Sequence, residues 1–180
     1  MTNRSLMAMS ALLAAVLLTA CSPTYNWRDY ASPDAAYRAM FPAKPASFTR
    51  KIDLDGMPVE MTMTAAEVDG ATFAVGAAEA PDPARAQAAL EAMRIALLRN
   101  IGAKAGSESA VASASATSAG TTSRTALDVD ALGNANGQPM RLVGHFEARG
   151  KRFYQVVVIG RPKAMPPEQV EQFFTSFKPQ

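Results

Sequence analysis

The chain has one cysteine, one histidine and one tryptophan; aromatic residues make up 7% of it, and neither sign of charge dominates. Each scarcity removes a class of chemistry. A single cysteine makes no disulfide within the chain, so the fold rests on its core. One histidine beside one cysteine does not supply the Cys/His ligand set of a zinc site. Eighteen basic against sixteen acidic residues leave a formal charge of +2, with no basic stripe to act as an electrostatic footprint for nucleic acid. A phosphate-cradling loop is missing as well. The Gly-rich stretch Gly133-Asn134-Ala135-Asn136-Gly137 has neither the Lys nor the strand-to-helix context that such a loop needs. Long apolar runs are confined to one place, Ala11 to Ala20, where only Thr19 interrupts them.

That run is too short to span a bilayer core as a mature helix, and Arg4 ahead of it supplies a positive start, so it fits a signal-peptide h-region. It ends in Leu18-Thr19-Ala20-Cys21, and this tetrad resembles the lipobox of bacterial lipoproteins. The resemblance implies cleavage between Ala20 and Cys21, diacylglycerol on the Cys21 sulfur and an acylated (palmitate-type) new N-terminus. The chemistry agrees: small residues let a peptidase reach the backbone, a deprotonated thiol is a good nucleophile for alkylation, and two or three acyl chains hold a membrane where one holds it marginally. Residues 1–20 are thus expected to be a discarded leader, 21–34 a lipidated tether, and 35–180 a single domain. Arg4 is the only charge in the leader, so the mature part is close to neutral. Ser22 stands where an Asp signals inner-membrane retention in enteric bacteria, which implies the outer membrane, with the domain facing the periplasm. In the tether, Trp27 and Tyr30 are expected to cover an edge of the core rather than to sit among lipid headgroups.

Beyond the tether the pattern is that of strands. Ala35 to Phe41 reads as a first strand stopped by Pro42; Ser47 to Leu54 alternates, with Phe48, Arg50, Ile52 and Leu54 on one parity. Asp55-Gly56 and Asp69-Gly70 are hairpin turns around a strand with Val59, Met61, Met63 and Ala65 inward. At Pro81-Asp82-Pro83 the period changes. Asp82 is a good N-cap and Pro83 a good first helical residue. Ala86, Leu90, Met93, Leu97 and Ile101 then share one helix face, widened by Ile95 and Leu98, until Gly102 ends it. The Ala/Ser-rich segment 103–123 is compatible in its middle with an edge strand of small residues. Arg124 to Leu132 alternates again, 133–137 reads as a turn, and Met140, Leu142 and Phe146 are expected inward with Arg141, His145 and Glu147 in solvent. Arg149-Gly150 closes a hairpin onto Phe153–Ile159, a near-continuous apolar run fit for a central strand buried on both faces. Pro166-Pro167-Glu168 opens a last amphipathic helix carrying Val170, Phe173, Phe174 and Phe177.

The expected class is α+β: an antiparallel sheet of about six to seven strands with a long middle helix and a short C-terminal helix packed on it. The opening Phe41-Pro42-Ala43-Lys44-Pro45 and the closing Phe173-Phe174-Thr175-Ser176-Phe177 resemble the "FPxxP" start and aromatic-Ser-Phe tail of bacterial domains of the PsbP/Mog-type fold. The resemblance spans Ala35 to Phe177 and departs from that pattern in the Ala/Ser-rich middle. Its known members, a photosystem extrinsic subunit and a Ran-binding protein, act by binding partners, so it implies a non-enzymatic module.

Nothing in the pattern assembles a catalytic set. His145 lies between Arg141 and Glu147 on a parity read as solvated, and the carboxylate pairs Asp53/Asp55 and Asp128/Asp130 each share one strand face. Met61 and Met63 put two thioethers on one strand face near Met57, a soft donor set of the kind that takes Cu(I), although Met is also a common filler of cores. The reading is a lipoprotein attached to the membrane through Cys21, with no cofactor and no nucleic-acid partner, acting as a protein-binding or assembly module of the envelope. The alternatives are a carrier of a small apolar ligand held between sheet and helix, and Cu(I) binding through Met61 and Met63.

Overall fold

Two-residue turns set the frame. Asp55-Gly56, Asp69-Gly70 and Asn136-Gly137 have positive φ at both residues (55° and 80°, 52° and 79°, 53° and 77°), the geometry whose twist matches paired antiparallel strands. A computed structural model of the chain describes residues 24–115 and 124–180. Four hairpins hang on those turns and on Gly150-Lys151, one residue on from the expected Arg149-Gly150: β3 (Ala46–Asp53) with β4 (Pro58–Val68), β4 with β5 (Ala71–Glu79), β7 (Arg124–Ala135) with β8 (Gln138–Arg149), and β8 with β9 (Arg152–Gly160). With β6 (Ala103–Ser115) they form a seven-stranded antiparallel sheet in the order β3-β4-β5-β9-β8-β7-β6. The apolar run expected at the centre is there: β9 is the fourth strand, and Phe153 through Val158 are buried.

The helix α1 (Pro83–Asn100) begins as its capping chemistry requires, with Asp82 Oδ1 accepting from the Arg85 N–H at 2.9 Å. It lays Ala86, Ala89, Leu90, Met93 and Leu98 on one face of the sheet, against Val129, Leu142, Phe146, Phe153 and Val157. Ile95, expected to widen that stripe, is 42% exposed. At the helix end, backbone meets backbone. A Cβ on Gly133 would collide with the Ile101 carbonyl, and one on Gly102 with the Asn134 carbonyl, so two glycines let the end of α1 press on β7.

A second, three-stranded sheet covers part of the other face: β1 (Arg28–Ser32), β2 (Tyr37–Phe41) and β10 (Lys178–Pro179), joined by α2 (Pro167–Ser176). Here the aromatics gather. Phe173 meets Phe73 at 5.4 Å and Phe41 at 5.5 Å between ring centroids, Phe177 meets Tyr154 at 5.5 Å, and the Tyr154 hydroxyl donates to the Ala36 carbonyl at 3.0 Å. Each fully buried ring contributes about 1.5–3 kcal/mol. Trp27 stacks on Tyr25, presents its edge to Phe73 and donates to Gln169 at 3.1 Å, so it covers this core as expected.

The fold is therefore α+β with antiparallel sheets and two helices, and besides Ile95 it differs from the sequence expectation in four places. The tether 21–34 contains β1, which pairs with β2 along its whole length. The strand β3 alternates as expected, but of its inward parity Phe48 is 51% exposed and Arg50 exposed, while Ile52 is half-buried and Leu54, just past the strand, buried, because β3 is the edge strand and α1 packs over β6 to β9. The turn read over 133–137 shrinks to Asn136-Gly137, since Gly133, Asn134 and Ala135 stay in register with Met140, Pro139 and Gln138. Finally, Glu147, expected in solvent, is 1% exposed.

Candidate functional site

The face of the main sheet that carries the aromatic core runs on into β8 and β7, beyond the reach of the covering sheet. The register makes the change abrupt. Tyr154 lies opposite Glu147, and Val156 opposite His145; one strand further, Glu147 faces Ala126 and His145 faces Asp128. These residues form a shelf of charged side chains, roofed on one side by the C-terminal end of α2 and by β10. A cavity of about 590 Å³ opens between them, walled by Val143, Phe174, Phe177 and Pro179. A second hollow of about 730 Å³, beside the Asp69-Gly70 turn, is lined by exposed Arg161 and Lys163 and has no buried charged group in its wall.

Glu147 is the centre of the shelf. Arg124 grips it in a fork, Nε to Oε1 at 3.0 Å and Nη2 to Oε2 at 3.2 Å; Arg149 donates its Nε to Oε1; and His145 Nε2 lies 3.2 Å from Oε2. The other ring nitrogen, His145 Nδ1, lies 2.6 Å from Asp128 Oδ1. Burial alone would raise the Glu147 pKa. Hydrogen bonds from His145, Arg149 and Arg124 outweigh it and hold the carboxyl at about 2. For His145 burial favours the neutral ring, but its bonds to Glu147 and Asp128 prevail and the pKa is raised above its ordinary value. Asp130, next along β7, is taken by Arg141 through two bonds of 2.9 and 2.7 Å.

The arrangement is fitted to hold charge. An imidazole that donates from both nitrogens has no lone pair left for a general base, and the buried carboxylate beside it is saturated by three donors. The two arginines are different. Their side chains are 47% and 39% exposed although both are pinned to Glu147. Arg149 spends one nitrogen on the carboxylate and Arg124 two. Among the described residues the other guanidinium N–H groups have no hydrogen-bond partner, and they border the cavity.

Of the residues singled out in the sequence, His145, Asp128 and Asp130 line this cavity and the others fall elsewhere. Leu18 to Cys21, with the cleavage site Ala20–Cys21, lie outside the described residues. Met61 is 4% exposed and Met63 half-buried, both in the core under α1 with Met57; the Met63 sulfur accepts from Gln155 Nε2 at 3.4 Å. Asp53 caps its own turn through Gly56 N–H at 2.7 Å. Among the described residues no group of three His, Cys, Asp or Glu side chains is arranged to hold a metal ion, and no helix is long and apolar enough to cross a membrane.

Arg124, Glu147 and Arg149 escaped the sequence reading, and the signal that marks them is the turn. Folding the chain at Asn136-Gly137 sets Asp128 opposite His145, Ala126 opposite Glu147 and Arg124 opposite Arg149; a five-residue turn hides that register. Compared with known proteins, the chain matches no family model and no curated sequence.

Proposed function

We propose that the protein is a lipid-anchored, non-enzymatic binding module of the cell envelope, with a PsbP/Mog-like domain held through Cys21 on the periplasmic side of the outer membrane. The anchor rests on the lipobox Leu18-Thr19-Ala20-Cys21 at the end of the apolar run, and the choice of membrane on Ser22. The α+β architecture is compatible with the PsbP/Mog resemblance carried by Phe41–Pro45 and Phe173–Phe177. The observation that carries binding over catalysis is the state of the only histidine: both nitrogens of His145 are held by carboxylates, at 2.6 and 3.2 Å. An envelope protein docks on the shelf, where half-exposed guanidiniums lie beside aromatic edge, a composition typical of binding hot spots.

Two measurements test this. Cys21→Ala abolishes palmitate labelling and membrane retention while circular dichroism of the domain is unchanged; a variant that still fractionates with membranes ends the anchor. Photo-crosslinking from position 174 in intact cells yields a reproducible partner, lost on Arg124→Glu with Arg149→Glu; a pattern indifferent to the charge reversal ends the docking assignment.

A second reading has an observation of its own. The 590 Å³ cavity between the sheet and α2 has the size of a small-molecule site, which fits a carrier of a small apolar ligand. Native mass spectrometry of protein taken from the envelope then shows a non-covalent adduct.

A further inference from the structure

We propose that the cavity over β7 and β8 binds a small amphipathic carboxylate, its head group on Arg124 and Arg149 and its apolar body against Phe174 and Phe177. The inference deepens the carrier reading and rests on it: that reading asks only for an apolar ligand, whereas the walls specify a charged end.

The charge count comes first. Around the floor stand the cations Arg124, Arg149 and His145 and the anions Glu147 and Asp128. Asp130 takes no part, being held by Arg141 through two bonds. With His145 protonated the floor carries one positive charge in excess, and Lys178 on the rim adds another. A small anion balances that excess. A neutral ligand leaves it unbalanced, and a cation adds to it.

Geometry then selects the shape of the anion. Glu147 lies in the cavity wall but is 1% exposed, and both its oxygens are taken by Arg124, Arg149 and His145. It acts as an internal counter-ion, fixing Arg124 through Nε and Nη2 and Arg149 through Nε, and both arginines, with N–H groups to spare, line the cavity. Guanidinium N–H groups in a fixed plane match the two oxygens of a carboxylate. Because a charge already pins each side chain, little rotamer freedom is lost when the ligand arrives.

The rest of the wall rules out a bare inorganic anion as the intended occupant. Val143, Phe174, Phe177 and Pro179 are apolar and face the same hollow. Phe174 is half-buried and braced by Phe173, ring centroids 5.9 Å apart at 67°, so it offers a ring face or edge that is already ordered. A cavity of about 590 Å³ admits a chain of about ten carbons and not a full diacyl lipid.

Decanoate is the probe, with decanol and decyltrimethylammonium as its neutral and cationic counterparts, titrated into the purified full-length chain by calorimetry and followed by NMR of arginine Nε–H groups. Decanoate is expected to saturate with a Kd of about 100 µM and to shift the Arg124 and Arg149 signals, while decanol binds about tenfold more weakly and the cation more weakly still. Arg149→Gln lowers decanoate affinity about tenfold and leaves decanol unchanged; Lys178→Gln, on an exposed side chain, lowers it about two- to threefold and covers the case in which the arginine variant fails to fold. Raising the pH through the His145 transition weakens decanoate alone. Equal affinity for decanoate and decanol overturns the charged end and leaves the carrier reading standing. Binding of none of the three overturns both. A free-carboxylate tripeptide that binds where decanoate does not assigns the site to a polypeptide terminus and overturns the small-molecule proposal.

Discussion

One face of one sheet is built in two ways. Over β5 and β9 it is aromatic and sealed: Phe73, Val75, Tyr154 and Val156 lie under Phe41, Phe173 and Phe177, all below 8% exposure. Over β8 and β7 it is ionic and open, and the border falls between facing residues, Tyr154 against Glu147. The same backbone ladder runs through both halves, so the strands do not decide the difference; the cover does. Where α2 and the three-stranded sheet lie over the strands, apolar side chains gain by leaving water. Where the cover stops, an acid has been buried anyway, and it is tolerable only because Arg124, Arg149 and His145 satisfy it together. The lesson is that Glu147 is buried by its partners and not by the core.

The sharpest way to break the sealed half is Phe173→Ala. That ring is fully buried and touches Phe41, Phe73 and Phe174, so its loss costs about 3–5 kcal/mol in denaturant unfolding. In the open half the largest effect comes from Glu147→Ala, at about 2–3 kcal/mol. The cost is smaller because the stranded arginines, half-exposed already, turn to water. The two variants also differ in kind: Phe173→Ala loosens α2 and weakens every function of the domain, whereas Glu147→Ala frees the guanidiniums and leaves the α2 amide signals in place. Equal losses of α2 protection in both would erase the distinction between the halves.

The ionic half also carries a pH signature that the sealed half lacks. Glu147 has a folded pKa lowered to about 2 from its ordinary value of 4.5, so its contribution is present above pH 4.5 and is lost as pH falls towards 2. His145 has a raised folded pKa, so its contribution is full below its unfolded value of 6.5 and is lost as pH rises through the folded value. The charged groups facing that ring are Asp128 from β7 and Glu147 on β8, with Arg124 and Arg149 behind the latter. Stability is expected to be highest in mildly acid solution. His145→Gln should flatten the decline above pH 6.5 and leave the acid limb unchanged, an effect smaller than that of Glu147→Ala. A decline above pH 6.5 that survives in His145→Gln assigns it to another group.

Much of the fold is legible in the sequence because it depends on local rules. Asp55-Gly56, Asp69-Gly70 and the Pro81-Asp82-Pro83 helix start act within a few residues, and β9 shows itself as an apolar run. What was missed depends on what lies over a strand, and alternation does not carry that. Phe48 alternates as a core residue should, yet it is exposed, because β3 is an edge strand beyond α1. Glu147 alternates as a surface residue should, yet it is buried. The strand β1 reads Arg-Asp-Tyr-Ala-Ser, too short and too polar for a period to emerge, and it forms because β2 offers a partner. The site was nearer to hand: an Asn-Gly pair is a strong hairpin signal, and placing the turn there aligns every member of the shelf.

The least disruptive change is also the one that bounds the ionic half. Asp130 and Arg141 make a bidentate pair one step along the strands from the shelf, similar in geometry to Arg124–Glu147 but with side chains 46% and 29% exposed. If fork geometry were what made the shelf stable, Asp130→Asn would cost as much as a change at Glu147. Exposure argues otherwise: water screens the pair and repays its loss, so Asp130→Asn should cost about 0.5 kcal/mol, and less as salt is raised. Removing this carboxylate also adds to the positive excess beside the cavity, so decanoate binding should tighten slightly while stability falls slightly. Opposite signs in the two measurements, from one substitution, would separate the part of the network that holds the fold from the part that faces the ligand; a cost as large as that of Glu147→Ala would mean that burial is not what divides them.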